Sequence, residues 1–447
     1  MKLQAPKGTR DFYPRQMAWR NYLIETWRRV STRNGFEQVD GPLFESLDLY
    51  KVKSGEGIVS ELFHFEDRGG RRLALRPEFT PTLARMVAER AHALPKPIKW
   101  FSTSNFCRAE RPQRGRLREF WQWNLDILGW DTSLADAECL FTAVDLLRTL
   151  GLGPDQVSIK ISHRETVRHV LVKLGVPDER ILDAFALLDR RDKIEPEQFA
   201  EAAKGLGLDE ARLDRFEQTC RMKYRAGDLG PLRDTIGMNE NISDLELLDE
   251  QLRAFDIADW CEYDLGIVRG LAYYTGTVFE VHEVSGAERA IAGGGRYDRL
   301  IELFGGPTTS AVGFGMGDVV LSNVLIDKGL MPEDVTPRPD AFVVAVTDQG
   351  AARLTGVTAQ LRAAGLHARF SYRTTRNVGK LLKEADSARA RFAVILDDAV
   401  DNDRAGLKDF ASGEQAQVRL AELAERMGAA LKPPLDAAES DPTVRAS

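Results

Sequence analysis

Between about Glu165 and Leu252 the apolar residues fall at helical spacing, whereas on either side of that stretch they alternate. GFEQVDGPLFESLDLY, RRLALRPEFTP, PIKWFSTSNFCRAE, EFWQWNLDILGW and VSIKISHR read as strands before it. WCEYDLGIVRG, TGTVFEVHEV, ERAIAGGGRYD and SAVGFGMGDVVL resume the pattern after it. Short turns rather than regular helices separate most of these segments, which favours antiparallel pairing. The simplest solution is one α+β unit, residues 1–164 and 253–331, built on an antiparallel sheet and interrupted by a helical module over residues 165–252. That module is rich in Leu, Ala, Asp, Glu and Arg, with breaks at GVPDE and GLGLDE, and it reads as all-helical.

Flanking helices fit this plan. Trp19, Leu23, Trp27 and Val30 share a helix face that stops at Asn34-Gly35. Thr80 and Pro81 read as N-cap and first position of TPTLARMVAERAHAL. Ser133 to Leu150 is helical and ends at Gly151. A boundary then falls at MPEDVTPRPD, with Pro332, Pro337 and Pro339. Beyond it the order becomes β-α-β, which predicts a separate α/β domain over residues 338–430 with a mainly parallel sheet. Residues 433–447 are acidic and weakly patterned and are expected to be disordered.

The 447 residues suffice for two or three folded cores. No run approaches the roughly 20 apolar residues of a membrane span, and MKLQAPKGTRDFYP lacks the apolar centre of a secretory signal; a cytoplasmic protein is expected. Cys107, Cys139, Cys220 and Cys261 show no CxxC spacing, so neither a zinc site nor a disulfide framework is indicated, and buried free thiols are expected. The six histidines are equally scattered, and no metal site is assigned. A net charge of −7 argues against non-specific coating of nucleic acid. It leaves room for a local basic face: Arg362 to Arg391 holds eight Lys or Arg against two acids.

Four stretches carry chemistry. From Arg108 to Arg118, between two strands, there are five arginines and one glutamate. Guanidinium forks suit bidentate phosphate contacts, and their mutual repulsion is relieved by an anion such as a nucleoside triphosphate or a nucleic acid backbone. In LRPEFTP, Glu78 follows a core strand and needs a cationic partner, either a structural one or a substrate ammonium. AIAGGGRYD and VGFGMGD place glycines in strands, where they mark close approach of a ligand or another backbone. A flat purine or ribose could lie on the face left bare by Gly313, Gly315 and Gly317; a packing surface is the alternative. RGLAYYTGTVFEV sets a guanidinium, two phenols and a turn beside a strand, which a small-molecule pocket could use.

Taken together and in this order, LRPEFT, FCRAERPQRGRLREFWQW, RGLAYYTG and AGGGRYD resemble the histidyl-tRNA synthetases, a family of class II aminoacyl-tRNA synthetases. KGTRDFYP resembles that family's opening, and the likeness runs from about Lys7 to about Leu420. The resemblance implies ATP-dependent activation of L-histidine to histidyl-adenylate, transfer to the 3′ end of tRNA(His), Mg2+ with the ATP, a C-terminal anticodon-binding domain and a homodimer with GFEQVDGP at its interface. It implies roles as well. Arg269 and Arg108 would be catalytic. Glu78, Phe79, Thr80, Arg108, Gln122, Asp126, Arg269, Tyr273, Tyr274 and Tyr297 would bind histidine. Arg108, Glu110, Arg116, Gly317 and Asp318 would bind ATP. Three positions depart from the family pattern: Ala272 replaces an acid, Asp126 replaces a glutamate, and Val320 stands where the third class II motif usually has arginine. A branch of the family with plant-like members shares the GFGxGD form. Two alternatives are a synthetase-like regulatory subunit of histidine biosynthesis, which lacks the C-terminal domain, and a class II synthetase for threonine, proline or glycine.

Overall fold

The computed structural model describes residues 3–54, 56–191, 194–236, 240–268 and 273–431. It divides into two compact units, Met1–Val335 and Thr336–Ser447.

The first unit is organised by a nine-stranded sheet. Its strands are β1 (Glu37–Gln38), β5 (Ile98–Cys107), β6 (Glu119–Leu128), β7 (Val157–His163), β8 (Lys223–Arg225), β9 (Cys261–Asp264), β10 (Thr277–Glu283), β11 (Ala292–Arg296) and β12 (Ala311–Gly317), in the order β1-β5-β6-β12-β11-β10-β7-β9-β8. All pairings but two are antiparallel, the exceptions being β1 with β5 and β7 with β9. Strands from before and after the helical stretch are neighbours: β6 pairs with β12 and β7 with β10. The main sheet is therefore assembled from strands on both sides of that stretch.

One face of the sheet is covered by the helices Pro14–Arg33 and Ser133–Thr149, whose Leu23, Trp27, Val30, Leu140, Val144 and Leu147 are almost fully buried with Trp123 and Leu125 of β6. On the other face Phe79, Leu83 and Val87 pack with Phe106, Val278 and Tyr297. Three short strands, β2 (Phe44–Ser46), β3 (His64–Glu66) and β4 (Arg72–Leu75), form a separate sheet.

Some boundaries differ from the sequence reading. LDLYKVKS is the helix Leu47–Ser54 rather than a continuation of strand. The N-cap of helix Thr80–Arg90 is Phe79, which puts Thr80 and Pro81 in its first turn. The inserted stretch is not wholly helical, because β8 extends the main sheet by pairing with β9. Its last helix, Glu240–Ala254, buries Leu245, Leu248 and Leu252 in the same core as Leu140 and Val144.

In the second unit β13 (Ala341–Ala345), β14 (Ala368–Phe370), β15 (Phe392–Leu396), β16 (Arg404–Asp409) and β17 (Gln415–Arg419) form one sheet in the order β14-β13-β15-β16-β17. The first three strands are parallel, as β-α-β order requires, and the last two are antiparallel additions. Residues 433–447 lie outside the described residues.

Candidate active site

A cavity of about 620 Å³ opens on the main sheet where β6, β12 and β11 run side by side. The start of helix Thr80–Arg90, the arginine loop, β6, the tyrosine pair, β11 and β12 are among the stretches of sequence that line it.

At its inner end is an aromatic and acidic pocket. Tyr273 and Tyr274 have ring centroids 4.7 Å apart, and Tyr273 meets Tyr297 edge-on at 6.1 Å. The Tyr297 hydroxyl donates to Asp126 Oδ1 at 2.5 Å. Both are buried. Burial pushes the Asp126 carboxyl up to about 7, against the opposing pull of the Tyr297 hydrogen bond. The glycines of β12 make this possible: a Cβ at Gly313 would overlap the Asp126 carboxylate, and one at Gly315 would come within 2.7 Å of the Gln122 amide nitrogen. The face left bare by those two glycines is thus filled by pocket side chains rather than open to a flat ligand; at Gly317 the space is clear.

Glu78 enters from the other side. Lys53 Nζ, fully shielded from solvent, donates to Glu78 Oε2 at 2.5 Å and sits 4.1 Å from the centre of the Tyr273 ring. The carboxylate therefore has a structural cation as well as an open approach from the cavity. Nothing in LYKVKSGEG marks Lys53 in the sequence; the helix that carries it brings it there.

Toward the mouth lies the arginine loop, which spans the gap between β5 and β6 as expected. Arg108 leaves β5 with Nε bonded to the Pro77 carbonyl at 3.1 Å and its guanidinium over the Phe120 ring at 4.9 Å. Burial lowers its pKa, while Glu78 and Glu110 oppose the shift. Arg116 lines the cavity and is ion-paired to Glu110.

Of the residues named from sequence, Glu78, Thr80, Arg108, Arg116, Gln122, Asp126, Tyr273, Tyr274, Tyr297 and Gly317 all line this one cavity. Three do not. Phe79 is a core residue, 1% exposed among Leu83, Val278 and Leu300. Glu110 stands behind Arg116 and holds it. Asp318 is buried at the start of helix Asp318–Asp327, where it accepts from Arg10 Nη2 at 2.6 Å and from the Trp121 amide at 2.9 Å. It ties the N-terminal segment to β6, with one bond to each carboxylate oxygen. Arg269 and Ala272 lie outside the described residues.

The RYD of AGGGRYD divides its labour. Tyr297 belongs to the pocket, whereas Arg296 is a buried girder that donates to Asp136 and to the carbonyls of Trp130 and Thr132. Asp298 accepts from Thr275 Oγ1 at 2.6 Å and from Ser310 Oγ at 2.7 Å. YYTG and GGGRYD are thus hydrogen-bonded to each other. Sequence reasoning missed Asn124, Glu280, His282 and Arg289, which also line the cavity, and Leu188 and Asp189, which reach it from the inserted helix Ile181–Asp189. Only alternation along EFWQWNLD and TVFEVHEV could have pointed to the first three. Among the described residues no three His, Cys, Asp or Glu gather as metal ligands.

The site thus joins a buried acid–phenol pocket to an arginine-lined mouth. The family model for histidyl-tRNA synthetase matches residues 8–318, and that for an anticodon binding domain matches residues 340–429. A histidine–tRNA ligase of Natronomonas pharaonis is 40% identical over 93% of this chain and 95% of its own length. The chloroplastic/mitochondrial histidine–tRNA ligase of Arabidopsis thaliana is 38% identical over 94% of this chain and 85% of its own. The crystal structure of a histidyl-tRNA synthetase from Nostoc sp. superposes with a TM-score of 0.79 at 26% identity, over 96% of this chain and all of that one. Both family models and the curated relatives agree, and the chain belongs to the histidyl-tRNA synthetase family.

Proposed function

We propose that this chain is an ATP-dependent histidine–tRNA ligase. The observation that carries the reading is the continuity of one cavity: an amino-acid-sized pocket with an acid at each end, Glu78 and Asp126, opens directly onto Arg108 and Arg116. Glu78 takes the α-ammonium of histidine. The Asp126–Tyr297 pair meets the imidazole, with Gln122 and the Tyr273–Tyr274 pair enclosing it. The substrate carboxylate then points toward the arginines.

In the first step a carboxylate oxygen bonds to the α-phosphorus of ATP. The bond from that phosphorus to the bridging oxygen breaks, and pyrophosphate leaves with the electron pair. In the second step a terminal ribose hydroxyl of tRNA(His) attacks the acyl carbon and AMP leaves. Neither step asks the protein for a nucleophile. Positioning and charge stabilisation suffice, which suits a site of preorganised guanidiniums. Arg269, by resemblance, bridges the histidine carboxylate and the α-phosphate. Mg2+ enters with ATP as part of the substrate.

Residues 1–164 and 253–331 form the catalytic domain, 165–252 the insertion and 338–430 the anticodon-binding domain. The match to an anticodon-binding model favours a ligase over a regulatory subunit, which would lack that domain. No helix among the described residues is long and apolar enough to cross a membrane, and we place the protein in the cytoplasm as a homodimer. Leu43, Phe44 and Phe65 are 42%, 50% and 45% exposed beside the GFEQVDGP segment, which supports a second copy there. Sedimentation at twice the 49.9 kDa monomer mass tests this. The activity is tested by ATP–pyrophosphate exchange, which only histidine among the twenty amino acids should drive. Exchange with proline or threonine instead, or with none, rejects the reading.

A further inference from the structure

Arg289 lies in the loop entering β11 and lines the cavity beside Arg116. Among the described residues it forms no hydrogen bond or ion pair of its own. Its neighbour Glu288 is buried. Glu288 Oε1 accepts from Arg114 Nε at 2.5 Å and from Asn323 Nδ2 at 3.2 Å. Those bonds pin the loop both to the arginine loop and to helix Asp318–Asp327, so that Arg289 is presented to the cavity by a fixed backbone.

Gly115 measures the spacing. A Cβ there would be 3.2 Å from Val320 Cγ2, 3.3 Å from Glu288 Oε2, which Arg114 and Asn323 hold through the other carboxylate oxygen, and 3.7 Å from Arg289 Cδ. The Arg289 stem therefore runs close to the short Val320 side chain, at the position where the class II pattern led us to expect an arginine. Burial lowers the pKa of the Arg289 guanidinium and the charge of Arg116 lowers it further, while Glu110 and Glu280 oppose the shift. Glu110 already neutralises Arg116, which leaves the Arg289 charge to an anion entering the cavity, and planar forks take phosphate oxygens in pairs.

We propose that Arg289 binds the terminal phosphates of ATP together with Arg116, supplying from the loop before β11 the guanidinium that Val320 does not supply from the third motif. The inference rests on the adenylate-forming reading. Arg289 meets the β- and γ-phosphates in ATP and the same atoms in the departing pyrophosphate, where charge grows as the bond to the α-phosphorus breaks.

The test is exchange by full-length Arg289→Ala and Arg289→Gln, titrated separately in ATP, pyrophosphate and histidine. Losing a charge-assisted contact should raise KM for ATP and for pyrophosphate about ten- to hundredfold and leave KM for histidine within about twofold. Arg289→Lys should fall between. Adding Val320→Arg to Arg289→Ala should return part of the lost affinity. KM values for ATP and pyrophosphate unchanged within about twofold in both variants would overturn the proposal, as would an equal rise for all three substrates, which marks a loosened site. Calorimetric binding of a non-hydrolysable ATP analogue separates this from the parent reading. If the wild-type chain shows no histidine-dependent exchange yet binds the analogue in an Arg289-dependent manner, the ligase assignment fails and the phosphate contact stands.

Discussion

Asp126 is the residue at which burial and function pull in opposite directions. Its carboxyl titrates at about 7 in the fold against the usual 3.8. Between those two pH values the unfolded chain has already released a proton that the folded chain still holds. Stability is therefore lost as pH rises through that window, and the cost is fully present above pH 7. Asp126→Asn should stabilise the ligand-free protein at pH 8 by about 1 kcal/mol or more and leave it nearly unchanged at pH 4, read by thermal unfolding. The same change should raise KM for histidine roughly tenfold at pH 8, because the pocket loses a charged acceptor. An Arg269→Ala variant probes the opposite regime, a group acting on developing charge. It should slow adenylate formation at saturating substrate by at least about a hundredfold, measured by rapid quench. Arg269→Lys should rescue poorly, because a point charge cannot bridge two anions as a fork does. A rise confined to KM for histidine would show Arg269 to be only a substrate clamp.

At the scale of the element, the junction between β7 and helix Arg164–Lys173 is where the inserted stretch leaves the sheet. His163 closes it. Its Nδ1 accepts from the Thr166 amide at 3.4 Å and lies 3.1 Å from the Thr166 hydroxyl, capping the helix. Burial holds the ring neutral by lowering its pKa to about 4; Asp244, 4.0 Å from Nε2, opposes this and Arg296 reinforces it. A protonated ring has no acceptor left at Nδ1, so the cap is lost with the proton's arrival. The unfolded chain takes up that proton near 6.5, so stability falls as pH drops from about 6.5 toward 4. His163→Asn keeps a side-chain acceptor at the N-cap and should flatten this acid limb by about 1 kcal/mol or more. Melting temperatures of the two proteins between pH 4 and 7 decide it: parallel acid limbs would exclude His163 as their source. The same junction places Arg164, whose Nη1 donates to the Val268 carbonyl at 3.4 Å and whose guanidinium covers the Phe185 ring at 4.3 Å. The segment leading to Arg269 is thus held from the insertion side.

For the molecule as a whole, the two compact units predict separable steps. A chain ending at Val335 keeps every cavity-lining residue. It should retain histidine-dependent exchange within about threefold and lose most tRNA charging. The eight basic residues between Arg362 and Arg391 belong to the removed unit, and tRNA phosphate contacts of that kind weaken steeply with salt. Aminoacylation of tRNA(His) at 50 and 200 mM salt measures both effects. Charging that survives the truncation with an unchanged salt slope would assign the second unit another task.

What the sequence determined by itself was whatever depends on local pattern. Alternation and its interruption marked the strands and the insertion, three prolines marked the second unit, and the motif order placed Glu78, Arg108, Gln122, Asp126 and the tyrosines in one site. These signals survive in one dimension because side-chain period and turn chemistry are local. The tertiary structure decided which side of each residue faces what. Asp318 and Phe79 sit within motifs, yet the first is spent on Arg10 and the second on the core. Lys53 lies outside every motif yet sits beside Glu78 and Tyr273, and Arg289, just ahead of AIAGGGRYD, lines the cavity with Arg116 of the arginine loop. No periodicity records such meetings, because a buried carboxylate is satisfied by whichever cation the fold delivers. The use of β12's glycines belongs here too: strand register, with Gly313 opposite Asp126, turned a bare face into room for a carboxylate.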